Sequence, residues 1–352
     1  MGLKAIDFFC SIGGMTYGFE STGVVVIAGI DIDPSCKATY ERNNPGSKFI
    51  EADIKKYTFD NLKRATGIKA NDDELVFIGC SPCQYWTIIN TDKRNSKGSR
   101  NLLSDFQKFV KHFKPGFVVV ENVPGIMKRK RASGLCKFIR SLEALHYTVS
   151  FGVLNANKFG VPQNRRRFVL IASRVAAATL PDGDQKNRPT VRDFIGTSNG
   201  FAKISAGHRD STDFMHTACS LSEKNLKRIR LTKVNGGTRE AWKDDDKLQI
   251  EAYRGRDDSF RNVYGRMSWD KPAPTITTRF NSLSNGRFGH PEENRAISLR
   301  EGATLQTFPT SYTFKEKSIS KIARHVGNAV PPELAKRIAK SIMESYNAAI
   351  QS

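Results

Sequence analysis

The chain has 352 residues, 39% of them hydrophobic, enough for one large domain or two medium ones with a substantial core. Lysine and arginine total 56 against 35 acids, and a net charge of +21 favours a polyanionic partner, most readily nucleic acid. No apolar run reaches the roughly 18 to 20 residues of a membrane span, and Asp7 and the glycines after it make the N-terminus a first strand rather than a signal peptide.

In chain order, LKAIDFF reads as a strand and GGMTYGFEST as a glycine turn opening a helix. VVVIAGIDID is a second strand, and PSCKATYERNN a helix with proline at its start. ELVFIG, GFVVVENV and RRRFVLIAS are further strands, separated by the helices LLSDFQKFVKHF and SGLCKFIRSLEALHY. Short apolar runs alternating with helices predict an α/β domain with a mostly parallel sheet covered on both faces. From about Arg188 the chain is rich in Gly, Asn, Ser, Asp and Arg, which predicts loops on an irregular β-rich scaffold. Helical periodicity returns in SLREGATLQTF and PPELAKRIAKSIMESY. The expected domains are 1–187, a smaller one at 188–318, and a segment at 319–352 returning to the first.

The glycine turn after the first strand lets backbone approach a ligand, and Asp31 at the end of the second can accept from both hydroxyls of a ribose. Asp53 is placed to meet an adenine amine. The sequence lacks G-x-G-x-x-G after the first strand, which disfavours a pyrophosphate and moves S-adenosylmethionine ahead of NAD and FAD. VFIGCSPCQYWT carries a C-x-x-C pair, which fits a redox disulfide, half a zinc site, or a nucleophile with an incidental neighbour. No second close pair exists to complete a zinc site, so no metal is expected. The other cysteines are scattered, which fits free thiols in a reducing cytoplasm. The nucleophile reading selects Cys83, with Cys80 buried at the strand end. Glu121 ends the next strand and would face the same crevice.

PCQ at 82–84, ENV at 121–123, Q-x-R-x-R at 163–167, SLREGATLQTFP at 298–309 and GNAVPPELA at 327–335 follow the glycine turn in order. Over nearly its full length the chain resembles the cytosine-C5 DNA methyltransferases of bacterial and phage type. That resemblance implies a Rossmann-like S-adenosylmethionine-dependent domain, a target-recognition domain, and double-stranded DNA as partner. It implies that Cys83 adds to C6 of a flipped cytosine, with Gln84 beside it, and that Glu121 bonds N3 and the exocyclic amine. Arg165 would contact the base oxygen, with Arg167 supporting the pocket. Phe9, Gly13, Gly14, Asp31, Ile32, Asp53, Ile54, Pro82, Asn328 and Val330 would line the cofactor pocket. Arg100, in a loop after Gln84 that also carries Lys93, Arg94 and Lys97, would meet phosphates. Thr275 would belong to the recognition region, and Arg266, Arg279 and Arg287 would read guanine edges. Tyr85-Trp86-Thr87 and Gly302 depart from the family's usual residues. A monomer is expected, with a restriction nuclease as a functional companion that need not bind it. A tRNA methyltransferase of the same family is the nearest rival, but its usual Cys-Phe-Thr does not occur in this sequence.

Overall fold

The computed structural model describes residues 2–81, 101–128, 130–184, 186–253 and 262–351. They form two units, one of Met1–Asn155, Arg166–Gly183 and Val330–Ser352, the other of Ala156–Arg165 and Asp184–Ala329.

The first unit holds one mixed sheet of seven strands: β1 (Lys4–Phe8), β2 (Val25–Asp31), β3 (Lys48–Glu51), β4 (Leu75–Gly79), β5 (Phe117–Asn122), β6 (Thr148–Asn155) and β7 (Arg166–Ser173). Their order is β3-β2-β1-β4-β5-β7-β6. Strands β1 to β5 run parallel, while β7 is antiparallel to both β5 and β6. Every residue of β4 and β5 is buried, which is why both read as unbroken apolar runs. The sequence reading assigns no strand to β3 or β6. Both lie at sheet edges, and β6 mixes Ser and Gly with its apolar residues, so neither carries that signal.

The helices are α1 (Gly14–Glu20), α2 (Lys37–Asn43), α3 (Phe59–Thr66), α4 (Leu102–Phe113), α5 (Gly125–Lys128), α6 (Leu135–Glu143), α7 (Glu223–Leu231), α8 (Leu299–Leu305), α9 (Ile319–Asn328) and α10 (Pro332–Gln351). None is long and apolar enough to cross a membrane. The Phe8 ring packs edge-on against Phe77 and Phe106 at 5.1 and 5.2 Å, which joins α4 to the centre of the sheet. Helix α10 rests on α1. A Cβ on Gly18 would fall 2.4 Å from that of Ala335, so only glycine permits this approach.

Among the described residues the second unit contains no strand, in contrast to the β-rich scaffold expected. Its extended segments meet only at isolated bridges, Gln163 with Ala273, Arg266 with Gly289, and Gly289 with Ala296. Backbone carbonyls that a sheet would pair are taken instead by buried arginines. All five N–H groups of Arg266 are used, on the carbonyls of Thr232, His290, Glu293 and Ile229 and on Asn294 Oδ1. Arg300 holds the carbonyls of Asp213, Phe214, Pro309 and Tyr312. Burial draws both guanidiniums down to about 10, still charged at neutral pH.

Candidate active site

Four neighbouring parallel strands, β2, β1, β4 and β5, deliver the site. Phe8 of β1 pairs with Ile30 of β2 and with Gly79 of β4, and Gly79 pairs with Val120 of β5. One step further along, at the carboxyl ends, stand Asp31, Cys80 and Glu121. Ligands of open α/β sheets bind at this end of the strands.

Glu121 is buried, and Arg167 Nε lies 2.9 Å from its Oε1. The pairing follows from register. Glu121 opposes Val169 across the antiparallel β5–β7 ladder, so Arg167 is its diagonal neighbour on the same face, within reach of a long side chain. Asn122, unremarked in the sequence reading beyond its place in ENV, donates through Nδ2 to Ser81 O at 3.1 Å and Ser81 Oγ at 3.2 Å. It therefore ties the chain leaving β4 to the end of β5. Burial, then the carboxylates of Glu121 and Asp7, push the Cys80 thiol well above its usual range. Cys80 is a protonated neighbour and a poor nucleophile. Pro82, Cys83, Gln84 and Arg100 lie outside the described residues.

At the end of β2, Asp31 accepts from Ser11 N at 2.8 Å and from Asp33 N at 2.9 Å. A carboxylate has about four acceptor positions, so capacity for a diol remains. Burial raises its pKa from the ordinary carboxylate value. Ile32, next along, is 64% exposed, an apolar side chain left open beside that carboxylate. Phe9, Ser11 and Gly13 all have positive φ, at 66°, 49° and 90°, and Gly14 opens α1 directly after. The loop is held in a conformation that costs Phe9 and Ser11 backbone strain, as functional turns often are. Asp53 accepts from Lys55 N at 3.0 Å, and Ile54 and Val330 are buried in the same unit. Asn328 is exposed at the end of α9 in the second unit.

Two expected arginine roles are corrected. Arg165 belongs to the second unit, 1% exposed, and donates to the carbonyls of Ile276, Gly327 and Ala329 at 3.0 to 3.1 Å. It is a scaffold residue, and the guanidinium beside Glu121 is that of Arg167. Arg266 is also 1% exposed and has spent every donor on its own unit, so it has none for a base edge. Gln163 joins the same framework, with Nε2 donating to Leu305 O and Gln306 Oε1, both at 2.8 Å. Thr275 Oγ1 donates to Asn164 O at 2.6 Å, Arg287 is half-buried, and Arg279 is exposed.

Similarity to known proteins agrees with this geometry. The family model for the C-5 cytosine-specific DNA methylase matches residues 3–344. The chain is 42% identical to the type II methylase M.HgiDII of Herpetosiphon aurantiacus, over 96% of this chain and 94% of that protein. It is 33% identical to the type II methyltransferase M1.HphI of Haemophilus parahaemolyticus, over 98% and 87% respectively. Among solved structures, a protein of an E. coli prophage assigned as a DNA modification methyltransferase superposes with a TM-score of 0.76 at 20% identity, covering 98% of this chain and all of that one. The chain belongs to the C-5 cytosine-specific DNA methylase family.

Proposed function

We propose that this DNA cytosine-5 methyltransferase takes its methyl group from S-adenosylmethionine and acts on a cytosine turned out of duplex DNA, through a covalent bond to Cys83. The observation that carries this reading is the Glu121–Arg167 pair at the carboxyl end of β5, with Ser81 fastened beside it. Cys83 lies outside the described residues, and its role here rests on the PCQ sequence at 82–84.

Cytosine C5 is a poor nucleophile. Attack by the Cys83 thiolate forms an S–C6 bond and drives ring electrons toward C5. Glu121 holds the N3 proton that lets those electrons settle and accepts from the exocyclic amine. Arg167 donates to the ring oxygen, the role first given to Arg165. S-adenosylmethionine, when bound, supplies an electrophilic methyl group at C5. After a base removes the C5 proton, the S–C6 bond breaks and the thiolate returns.

Asp31 would hold the cofactor's ribose, Ile32 its adenine face and Asp53 the adenine amine, with Phe9, Gly13, Gly14, Ile54, Pro82 and Val330 around them. The remaining acceptor capacity of Asp31 and the exposed apolar Ile32 support this fit. Asn328 is assigned to the methionine end. The second unit serves as the target-recognition domain, with Arg279, Arg287 and Thr275 as its DNA contacts. The target base is reached by extrusion from the stack. A cytoplasmic monomer, paired with a restriction nuclease of the same specificity, completes the reading.

Expression in a methylation-deficient bacterium followed by bisulfite sequencing tests it. Protected cytosines in one short sequence context are expected. Cys83→Ser should remove that protection while the purified variant still binds DNA. A fully converted genome despite expression of folded protein overturns the DNA reading, and undiminished methylation by the Ser variant overturns the covalent step.

A further inference from the structure

We propose that Asp7 is a specificity-determining residue for the methyl donor: a buried carboxyl that ionises when a sulfonium cation fills the cofactor pocket, and so favours the donor over its uncharged, demethylated sulfide. This rests on the cofactor reading given above and deepens it, because it adds a group that responds to the charge of the ligand. Asp7 stands in β1 two residues before Phe9, is fully buried, and belongs to the same unit as Asp31 and the glycine turn. It pairs with Gly29 of β2, and Asp31 follows Gly29 by two residues, so both carboxyls project from one face of the sheet.

Three observations carry the assignment. The first is an unanswered oxygen. Asp7 Oδ2 accepts from Thr16 Oγ1 at 2.8 Å, while the buried Oδ1 has no hydrogen-bond partner among the described residues. The second is the company Asp7 keeps. Burial raises its carboxyl most, Thr16 opposes burial and Asp31 adds to it, and the outcome is about 7 against an ordinary 3.8. Burial also raises the Cys10 and Cys80 thiols and the Tyr40 phenol, with acidic neighbours, Asp7 among them, adding to each. The groups facing Asp7 from the turn, α2 and the ends of β2 and β4 are thus all acids. Among the described residues no lysine, arginine or histidine bonds to it. The third is a chain of hydroxyls. Thr16 Oγ1 lies 3.0 Å from Tyr40 Oη, which lies 2.6 Å from Ser47 Oγ, all of them buried. Gly29 makes room for it, since a Cβ there would fall 2.4 Å from Tyr40 Oη. Hydroxyls in series can all point their protons toward an ionised Asp7 and reverse when it is protonated.

The same bonds tie the carboxyl to the pocket. Asp7 and Thr16 flank the turn that holds Phe9, Ser11 and Gly13 at positive φ, so the bond between them clasps β1 to α1 across that turn. Asp31 holds the turn from its other side through Ser11 N. A buried carboxylate without a counter-ion is costly, and a ligand cation supplies what the fold withholds. Near neutral pH about half of the empty molecules carry the Asp7 proton, and a bound cation drives it out to solvent. A ligand that releases a proton binds more tightly as pH rises through the free group's value. The demethylated product has no sulfonium charge and draws no such response.

The test is titration calorimetry of the full chain, without DNA, against S-adenosylmethionine and S-adenosylhomocysteine, each in two buffers of different ionisation enthalpy. At pH 7 the donor should release about half a proton more than the product, and the difference should fade above pH 8. Donor affinity should rise about tenfold from pH 6 to pH 8, with product affinity changing far less. Proton changes at Asp31 accompany the ribose, which both ligands carry, and cancel in the comparison. Asp7→Asn, which keeps an acceptor for Thr16, should abolish the difference and weaken donor binding at pH 8 by about tenfold. Thr16→Val removes the bond that lowers Asp7 and should move the midpoint of the pH dependence above 7, a check that holds even if the Asn variant does not fold. Equal proton release with both ligands overturns the proposal and leaves the cofactor reading intact, as does an Asp7→Asn protein that keeps the difference. If neither ligand binds, the cofactor reading has failed and this assignment falls with it.

Discussion

Replacing Arg165 and Arg167 by lysine, one at a time, separates a scaffold guanidinium from a site guanidinium two residues away. Lysine keeps the charge but presents one compact ammonium where arginine presents a fork. Arg165 spans three carbonyls from two directions, through Nη1 to Ile276 and Nη2 to Gly327 and Ala329. An ammonium cannot reach them all, and Ala329 O keeps a second partner in Gln306 Nε2 at 3.3 Å. Leaving Ile276 O and Gly327 O unpaired, at about 1–3 kcal/mol each, puts the cost of Arg165→Lys near 3–4 kcal/mol. For a unit of this size that is a fall in melting temperature of about 10 °C. Arg167→Lys preserves a cation beside Glu121, so the melting temperature should stay within about 2 °C. Turnover should fall about 100-fold, as when one donor to a developing charge is lost. Calorimetry and single-turnover methyl transfer to duplex DNA read the two effects. An Arg165→Lys protein that melts like wild type but cannot turn over would refute this division of labour, as would full turnover by Arg167→Lys.

Two further substitutions probe the scaffold and the cofactor pocket. Glu301 accepts from Arg295 Nη1 and Nη2 at 2.7 and 2.8 Å and closes the capping box of α8 by accepting from Ser298 N at 2.7 Å. Burial works to raise its pKa, but Arg295 outweighs burial and holds the carboxyl at about 2, against an ordinary 4.5. A depressed acid contributes stability that is complete above its unfolded value and is lost as pH falls through the folded one. Glu301→Gln should therefore cost about 3 kcal/mol at pH 7, and its deficit should shrink between pH 4.5 and pH 2 in urea titrations. A pH-independent deficit would count against the charge argument. Asp31→Asn, which keeps one acceptor oxygen, should raise KM for S-adenosylmethionine at least tenfold and leave KM for DNA unchanged; an equal rise in both would remove Asp31 from the ribose.

The parallel core was legible because β4 and β5 are buried on both faces and are written in Val, Ile, Leu and Phe, with Gly ending the first and Glu-Asn the second. Glu121 was legible for a related reason: a carboxylate that interrupts such a run at its carboxyl end has few purposes. The identity of the arginine beside it was not. In QNRRR, the candidates alternate along one extended segment, and the decision depends on where β7 begins. Arg166 opens the strand, so Arg167 lies in β7, paired with Leu154 of β6 and one residue beyond the last β5 partner, Phe168, while Arg165 stays with the second unit. Arg266 failed for another reason. Nothing local distinguishes an arginine that reads a base from one that collects carbonyls, because both sit among Gly, Ser and Asn. Between about Arg188 and Ile297 the second unit gave no strand-like periodic signal, since side chains, rather than ladders, satisfy its backbone.

That arrangement changes what the formal charge of +21 means. Among the described residues, six arginines of the second unit, at 165, 228, 239, 266, 295 and 300, are buried. They contribute to any count of positive charge made on the sequence, yet the native surface does not offer them to a polyanion. An opened chain does. Heparin or another flexible polyanion would gain six more cations by binding the unfolded second unit than the folded one, and ligands that favour the unfolded form draw the equilibrium toward it. A soluble polyanion with no double helix to fit would thus act on this enzyme as a mild denaturant.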